Sequence, residues 1–485
     1  MSFETVIGLE IHAELKTKSK IFCSCSTEFG AEPNRNTCPI CLGLPGTLPV
    51  LNEEVVNLAI KAGTSLNCKI NKLNKMDRKN YFYPDLPKAY QTSQFDLPIC
   101  SGGHVDIEVD GKTKRVRLNR IHIEEDAGKL VHLEDDGVSL IDYNRVGVPL
   151  IEIVSEPDMR SPEEAVTFLR TLRSMLQYAD VSDCRMEQGS IRCDANISIR
   201  KFGEDILNTK VEIKNINSFK ELQKALEKEE KRQRELYTYG EDYKIKQETR
   251  RWDNGKGKTV PMRSKEDAHD YRYFPEPDLV PIIIQEKQID SIKATLPEMP
   301  KAKKERFINS YGLTEKEVGI IIDDKVLSSF YEETVSLGSN PKTVANWVLG
   351  DMLRLLKEVD EDSSEGITSI TLAPKSLSEL IKIIEAGTIS TTVGKEVFEE
   401  MFKTGASPEE IIKAKGLSQI SDTSELEKLI IEVLDNNPQS IADFSSGKPQ
   451  AAGFLMGQIM KASKGKANPK LAKEMLDEKL KERCS

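Results

Sequence analysis

Glu10 and His12 stand two residues apart in the apolar run Val6-Ile7-Gly8-Leu9-Glu10-Ile11-His12. A strand over this run presents a carboxylate and an imidazole on one face, because side chains alternate with period two. A second polar run, Arg120-Ile121-His122-Ile123-Glu124-Glu125-Asp126, is dense in charge yet interleaved with isoleucine, and Glu152 lies inside Ile151-Glu152-Ile153-Val154. A carboxylate in such apolar surroundings is costly unless it is paired or holds a metal. Strands of this kind, brought together, build an oxygen-rich site suited to Mg²⁺ with one histidine ligand. Its chemistry is phosphoryl transfer, with the cation bridging ATP phosphates and basic side chains clamping the transferred group. Each residue taken alone reads equally well as half of an ordinary ion pair in a sheet.

The cysteines form a second constellation. Cys23 and Cys25 are followed by twelve residues and then by Cys38 and Cys41. Two close pairs around a loop can close a four-thiolate structural site for zinc. Five further cysteines are scattered among the nine and show no pairing pattern. A third feature is basic: Lys461, Lys464, Lys466, Lys470 and Lys473 occur with no acidic residue between them, around Gly465, Asn468 and Pro469. Flexible lysines beside a turn suit phosphate contact without base reading. Familiar nucleotide motifs are missing. Gly111-Lys112-Thr113 and Gly257-Lys258-Thr259 have Asp106 and Trp252 where a phosphate loop needs its first glycine. No nucleophile-elbow or Gly/Ser-rich amidase signature occurs, so any ammonia must come from another chain.

The elements that must position these groups follow from the patterning. Residues 5–12, 104–109, 115–118 and 211–214 alternate apolar and polar as half-buried strands do. Ser161-Pro162-Glu163-Glu164 opens a helix whose apolar face is Ala165, Phe168, Leu169, Leu172, Leu176 and Ala179. Ser218 with Glu221 caps a charged helix to about Tyr237. Strands with interspersed helices and no regular βαβ alternation predict an α+β domain with antiparallel sheets. Beyond Leu296-Pro297-Glu298-Met299-Pro300 strand patterns vanish; residues 343–357 read as helix, 358–365 as an acidic loop, and Ser407 with Glu410 as a further cap.

The chain of 485 residues is long enough for several domains, and 38% apolar against 31% charged residues lets it bury cores. Its net charge of −10 confines any nucleic-acid contact to local patches. No apolar run is long enough to span a membrane, and the opening Met-Ser-Phe-Glu-Thr lacks a signal-peptide pattern, so a cytoplasmic location with no membrane contact is expected.

Several long strings carry a resemblance. Residues 6–12 (VIGLEIH), 41–46 (CLGLPG), 78–88 (RKNYFYPDLPK), 122–129 (HIEEDAGK), 142–152 (DYNRVGVPLIE) and 269–279 (HDYRYFPEPDL), with the tail at 448–470, resemble the B subunits of the tRNA-dependent amidotransferase GatCAB over essentially the whole chain. The resemblance implies a cradle domain related to glutamine synthetase over 1–293, a helical domain over 294–407 and a small YqeY-like tRNA-binding tail over 408–485. It implies a ligase that amidates misacylated Glu-tRNA(Gln), Asp-tRNA(Asn) or both. ATP phosphorylates the side-chain carboxylate, and ammonia released by an A subunit displaces phosphate, within a heterotrimer that includes a small C subunit. Carried over residue by residue, Glu10, His12, Glu125 and Glu152 become the Mg²⁺-ATP site. Lys79, Tyr83, Lys88 and also Glu125 fall in the segments near the ammonia path, Glu124 and Asp126 share the run of Glu125 without separate roles, and Cys23, Cys25, Cys38 and Cys41 become the zinc ligands. Two other readings compete: a tRNA scaffold without chemistry, and a free-standing ligase of the glutamine synthetase type, against which the basic tail speaks.

Overall fold

The computed structural model describes residues 3–133, 137–262, 270–359, 372–417, 423–446, 448, 450–463, 467 and 469–484, without the side chains of 359, 423–425, 469, 470 and 484. The chain divides into two compact units, 1–303 and 304–485.

The first unit is built on a ten-stranded sheet. Its spatial order runs Lys258–Pro261, Glu248–Asp253, Val211–Lys214, Ile191–Lys201, Phe3–Glu14, Pro149–Ser155, Lys112–Glu125, Cys100–Ser101, Lys69–Ile70, with His104–Val109 also paired to Lys112–Glu125. Every pairing is antiparallel except that of Val211–Lys214 with Glu248–Asp253. The N-terminal strand is central, and its two neighbours come from far along the chain.

Period-two alternation gives this sheet two unlike faces. Leu9, Ile11, Ile121, Ile123, Ile151, Ile153, Cys193, Ala195 and Ile213 point to one side and are buried. Helices Glu53–Ser65, Pro162–Tyr178 and Phe219–Thr238 close that core with Val55, Ile60, Phe168, Leu172, Leu222 and Leu226. Each fully buried Ile or Leu contributes about 1.5–3 kcal/mol relative to exposure. The helix starts follow the caps read from sequence: the Ser161 hydroxyl accepts from Glu164 N, and that of Ser218 from Glu221 N. The opposite face of the sheet carries the polar partners of the same alternation. Over it lies a small sheet of Phe274–Pro275, Asp77–Asn80 and Tyr90–Ser93.

The second unit is helical among its described residues. It holds two cores, one gathering Phe307, Tyr331, Trp347, Leu380, Phe398 and Ile412, the other Leu426, Ile430, Leu455, Ile459, Leu476 and Leu480. The segment predicted as one helix over 343–357 is helical with a π-helical turn, Val348–Met352, between Pro341–Trp347 and Leu353–Val359. Most of the predicted acidic loop at 358–365 lies outside the described residues. Ser407 and Glu410 form a reciprocal capping box on Pro408–Lys415. Among the described residues no helix is long and apolar enough to cross a membrane.

Candidate active site

The polar face of the large sheet is organised in cross-strand rows. In one row Arg192, His12, Glu152 and His122 sit side by side on four adjacent strands. In the next, Asp194, Glu10, Val154 and Arg120 do the same. Glu124 follows His122 by two residues and therefore shares its face. The result is a tight cluster: His12 Nε2 lies 3.2 Å from Glu124 and 3.6 Å from Glu152, and His122 Nε2 lies 2.7 Å from Glu152 and 3.7 Å from Glu124.

Burial opposes charge on both histidines, but the hydrogen bonds and charges of Glu124 and Glu152 outweigh it. His12 is pushed up to about 10 and His122 to about 9. Burial likewise works against ionising Glu124 and Glu152, and the two imidazoles overcome it, holding both carboxyls well below the usual range. Two cationic rings against two carboxylates leave the cluster close to neutral. Donor atoms of His12, Glu124 and Glu152 all lie within 4.8 Å of one another, so the three could hold a metal ion. A nitrogen-and-oxygen set of this kind suits a hard or borderline divalent cation, whose entry displaces the proton of His12.

The cluster floors a cavity of about 480 Å³. Its other acids are partnered: Glu10 accepts from Asn196 Nδ2 at 3.0 Å, Asp194 pairs with Lys214, and Asp126 takes Arg192 at 2.9 Å and Arg145 at 3.3 Å. Lys79 enters from the overlying sheet, its ammonium 4.9 Å from the Tyr271 ring centroid and 5.7 Å from that of Tyr81.

Glu125 points the other way. It pairs with Lys88 and accepts from Thr92 N at 2.8 Å, while Gln91 Nε2 donates to its carbonyl at 2.7 Å. Glu125 and Lys88 line a separate cavity of about 240 Å³, shared with Phe22, Cys41, Arg78 and Glu276. The Lys88 ammonium stands 4.9 Å from the Tyr90 ring centroid. Gln91, which donates to the Glu125 carbonyl, lines the larger cavity.

The four cysteines converge beside the smaller cavity. Their sulfurs lie within 4.8 Å of one another, and they could hold a metal. Tetrahedral zinc, with Zn–S of about 2.3 Å, needs sulfurs about 3.8 Å apart, which this arrangement approaches. Hydrogen bonding from Cys23 pushes the Cys41 thiol down to about 5 against the cost of burial, helped by Cys38 and by Lys20. Lys20 is fully buried, with its ammonium 3.8 Å from Cys41 Sγ and 2.6 Å from the Asn36 carbonyl.

Two family models match the chain: one described as the GatB/GatE catalytic domain over residues 5–290, the other as a GatB domain over 329–480. The chain belongs to the GatB/GatE family. Its relatives include a B subunit of aspartyl/glutamyl-tRNA(Asn/Gln) amidotransferase from Clostridium acetobutylicum, 65% identical over 99% of this chain and 100% of the relative. The corresponding B subunits of Clostridium beijerinckii and Thermoanaerobacter pseudethanolicus are 66% and 56% identical, each over 99% of this chain and 100% of the relative.

Within this GatB/GatE catalytic domain, Glu10, His12 and Glu152 share the large cavity, as their strands imply, and Lys79 joins them. Glu125 and Lys88 occupy the smaller one, and Tyr83 is 52% exposed and lines neither. Glu124 stands where Glu125 was expected, beside His12. Consecutive strand residues cannot share a face, and the buried Ile121 and Ile123 already mark the side to which Glu125 belongs. Sequence reasoning gave His122 and Arg120 no role beyond the polar run 120–126 and passed over Asp194 and Glu212; all four are on the cavity lining. Counting by twos along residues 120–124 would have found the first two. Of the tail lysines, Lys461 is exposed on helix Gln450–Ala462; Lys464 and Lys466 lie outside the described residues, as does the side chain of Lys470.

Proposed function

We propose that this chain is the carboxylate-activating, tRNA-binding subunit of an ATP-dependent amidotransferase that converts misacylated Glu-tRNA(Gln), Asp-tRNA(Asn) or both to the amide form. The observation that carries this reading is the cluster of His12, Glu124 and Glu152 on the floor of a polar cavity, with donor atoms within 4.8 Å. Relatives spanning the full chain are amidotransferase B subunits by name, which supports the substrate and the membership of a larger assembly.

The chemistry follows from what a carboxylate lacks. Its oxygens are poor leaving groups, so ammonia cannot displace them. An oxygen of the aminoacyl side chain attacks the γ-phosphorus of ATP, the bond to the β-phosphate oxygen breaks, and ADP leaves. Ammonia then attacks the acyl carbon, inorganic phosphate departs, and a proton is lost to give the amide. His12, Glu124 and Glu152, with Glu10 close by, would hold a Mg²⁺ ion, which would supply positive charge against the phosphates. Glu10, Glu152 and His12 are fixed by the sheet, so their geometry needs no rearrangement at the moment of reaction.

Ammonia comes from an A subunit, with a small C subunit completing the heterotrimer. Its route passes Tyr83 at the surface, then Lys88 and Glu125, then Lys79 at the large cavity. Gln91, which lines the large cavity and donates to the carbonyl of Glu125, supports this order. A charged pair and a lysine guard of this kind repel ammonium and pass the neutral base.

Cys23, Cys25, Cys38 and Cys41 would hold a structural zinc, which would clip the loop beside that route. Three domains, 1–293, 294–407 and 408–485, divide these tasks; three separate hydrophobic cores support a threefold division, with Leu296 packed on the first core and Ile411 and Ile412 in the second. The last domain binds the tRNA body through Lys461, Lys464, Lys466 and Lys470. The protein works in the cytoplasm. The test is reconstitution with A and C subunits on both misacylated tRNAs. Amide product that requires ATP, glutamine and this chain supports the reading; product formed equally well without ATP defeats it.

A further inference from the structure

The turn that carries the second cysteine pair is closed on itself. Leu42 N donates to the Cys38 carbonyl at 3.1 Å, Gly43 N to that of Ile40 at 3.0 Å and Leu44 N to that of Pro39 at 2.9 Å, while Cys38 N donates to Cys41 Sγ at 3.1 Å. Gly43 leaves this knuckle with φ of +66°, a conformation that residues with side chains rarely adopt. The buried Lys20 ties the turn to the surrounding chain, donating to Cys41 Sγ and to the carbonyls of Asn36 and Tyr143.

Gly43 is pressed against Lys88. A Cβ on Gly43 would overlap Lys88 Cγ and stand 3.2 Å from its Cδ, so the lysine stem runs directly over the glycine with no room for a methyl between them. From that seat the ammonium reaches Glu125, with the Phe22 ring centroid 5.6 Å away. Phe22 immediately precedes Cys23, so one cysteine pair bounds the lysine through Phe22 and the other through Gly43. Gly147 lies between Cys41 and Glu125: a Cβ there would stand 3.8 Å from Cys41 Cβ and 3.9 Å from Glu125 Oε2. A lysine on its flexible four-carbon stem otherwise wanders among many rotamers.

We propose that the four-cysteine loop positions the Lys88–Glu125 pair, and that Gly43 is the positioning residue through which it acts. This rests on the proposed passage of ammonia past that pair. The loop then couples glutamine use to amide formation, beyond closing a metal site. A Lys88 pushed off its seat leaves Glu125 a buried carboxylate without its cation, which holds ammonium in place of passing the neutral base.

The test compares Gly43→Ala with Gly46→Ala in the complete heterotrimer. Both place a methyl at positive φ in the same loop, +66° and +87°, but a Cβ on Gly46 meets no described residue within 4 Å. Ammonium chloride serves as the bypass, because the large cavity is open to solvent at Phe95, which is 52% exposed. Gly43→Ala is expected to lower glutamine-driven amide formation about tenfold, with metal content, tRNA-dependent ADP release and amidation by saturating ammonium chloride within about twofold of wild type. Gly46→Ala is expected to keep all four within about twofold. In a Lys88→Ala background Gly43→Ala is expected to add less than about twofold, because the contact through which it acts is already gone. Wild-type glutamine-driven amidation by Gly43→Ala overturns the proposal. So does a loss that Gly46→Ala shares, that follows metal content, or that persists undiminished in the Lys88→Ala background, each of which assigns the effect to the fold of the loop alone. Wild-type glutamine-driven amidation by Lys88→Ala sinks instead the passage of ammonia past this pair.

Discussion

Glu124 and Glu125 are neighbours in the chain and face different cavities. Glu124 lies 3.2 Å from His12 on the floor of the large cavity, whereas Glu125 pairs with Lys88 in the smaller one. The two carboxylates are therefore expected to fail differently when neutralised. Glu125→Gln is predicted to retain tRNA-dependent ATP hydrolysis within a few-fold while glutamine-dependent amidation falls at least about tenfold, because the ammonia route rather than activation is damaged. Parallel assays of ADP and amide release check it. Equal loss of both products would place Glu125 in the activation step.

The cysteine site is predicted to hold one zinc per chain. Cys38→Ser is expected to lose the metal and to lower the melting temperature of the N-terminal unit, since the loop between the cysteine pairs has few buried apolar residues of its own. Elemental analysis and a thermal melt with and without chelator measure both. A metal-free wild-type chain with an unaltered melt would contradict the assignment.

Glu14 gives a pH signature. Burial and the nearby Asp126 push its carboxyl up to about 7, against the pull of Arg192 and Arg145. A raised acid favours the folded state only while protonated. Its contribution is complete below the ordinary value of 4.5 and is lost as pH rises through about 7. Glu14→Gln is thus expected to stabilise the protein by about 1–3 kcal/mol above pH 7, with the gain fading to nothing near pH 4.5. Denaturant melts at pH 5 and 8 decide it, and a gain that does not grow with pH would refute burial of the carboxylate as the cause.

Removing residues 423–485, which leaves Ile411 and Ile412 in the second core, is predicted to raise the KM for charged tRNA about tenfold and to flatten its dependence on salt, because several phosphate contacts are lost together. An unchanged KM would end the assignment of the tail to tRNA.

Much of this architecture is written locally. The strand Phe3–Glu14 is legible from alternating apolar residues, and the helices beginning after Ser161, Ser218 and Ser407 are legible from their caps. The face of each glutamate in 120–126 was also present in the alternation, since Ile121 and Ile123 assign the odd positions to the buried side. What no local pattern carries is register between distant strands. His12 meets Glu152 and Arg192 only because Phe3–Glu14 is inserted between strands about 140 and 180 residues away. The aromatic lining of the large cavity is equally non-local, joining Tyr81 and Phe95 to Tyr271 and Tyr273 across a three-stranded sheet. Lys79 is carried into the large cavity by that same sheet, away from Lys88 with which sequence proximity had grouped it.

Carboxylate activation at the His12–Glu124–Glu152 cluster is tested most directly by single-turnover ADP release. The heterotrimer is loaded with misacylated tRNA and ATP, without glutamine or ammonia, and wild type is compared with Glu124→Gln. Release is predicted to fall about 100-fold or more in the variant, with charged-tRNA affinity within about twofold of wild type. ADP release at the wild-type rate, with the fold intact, would contradict activation at this cluster.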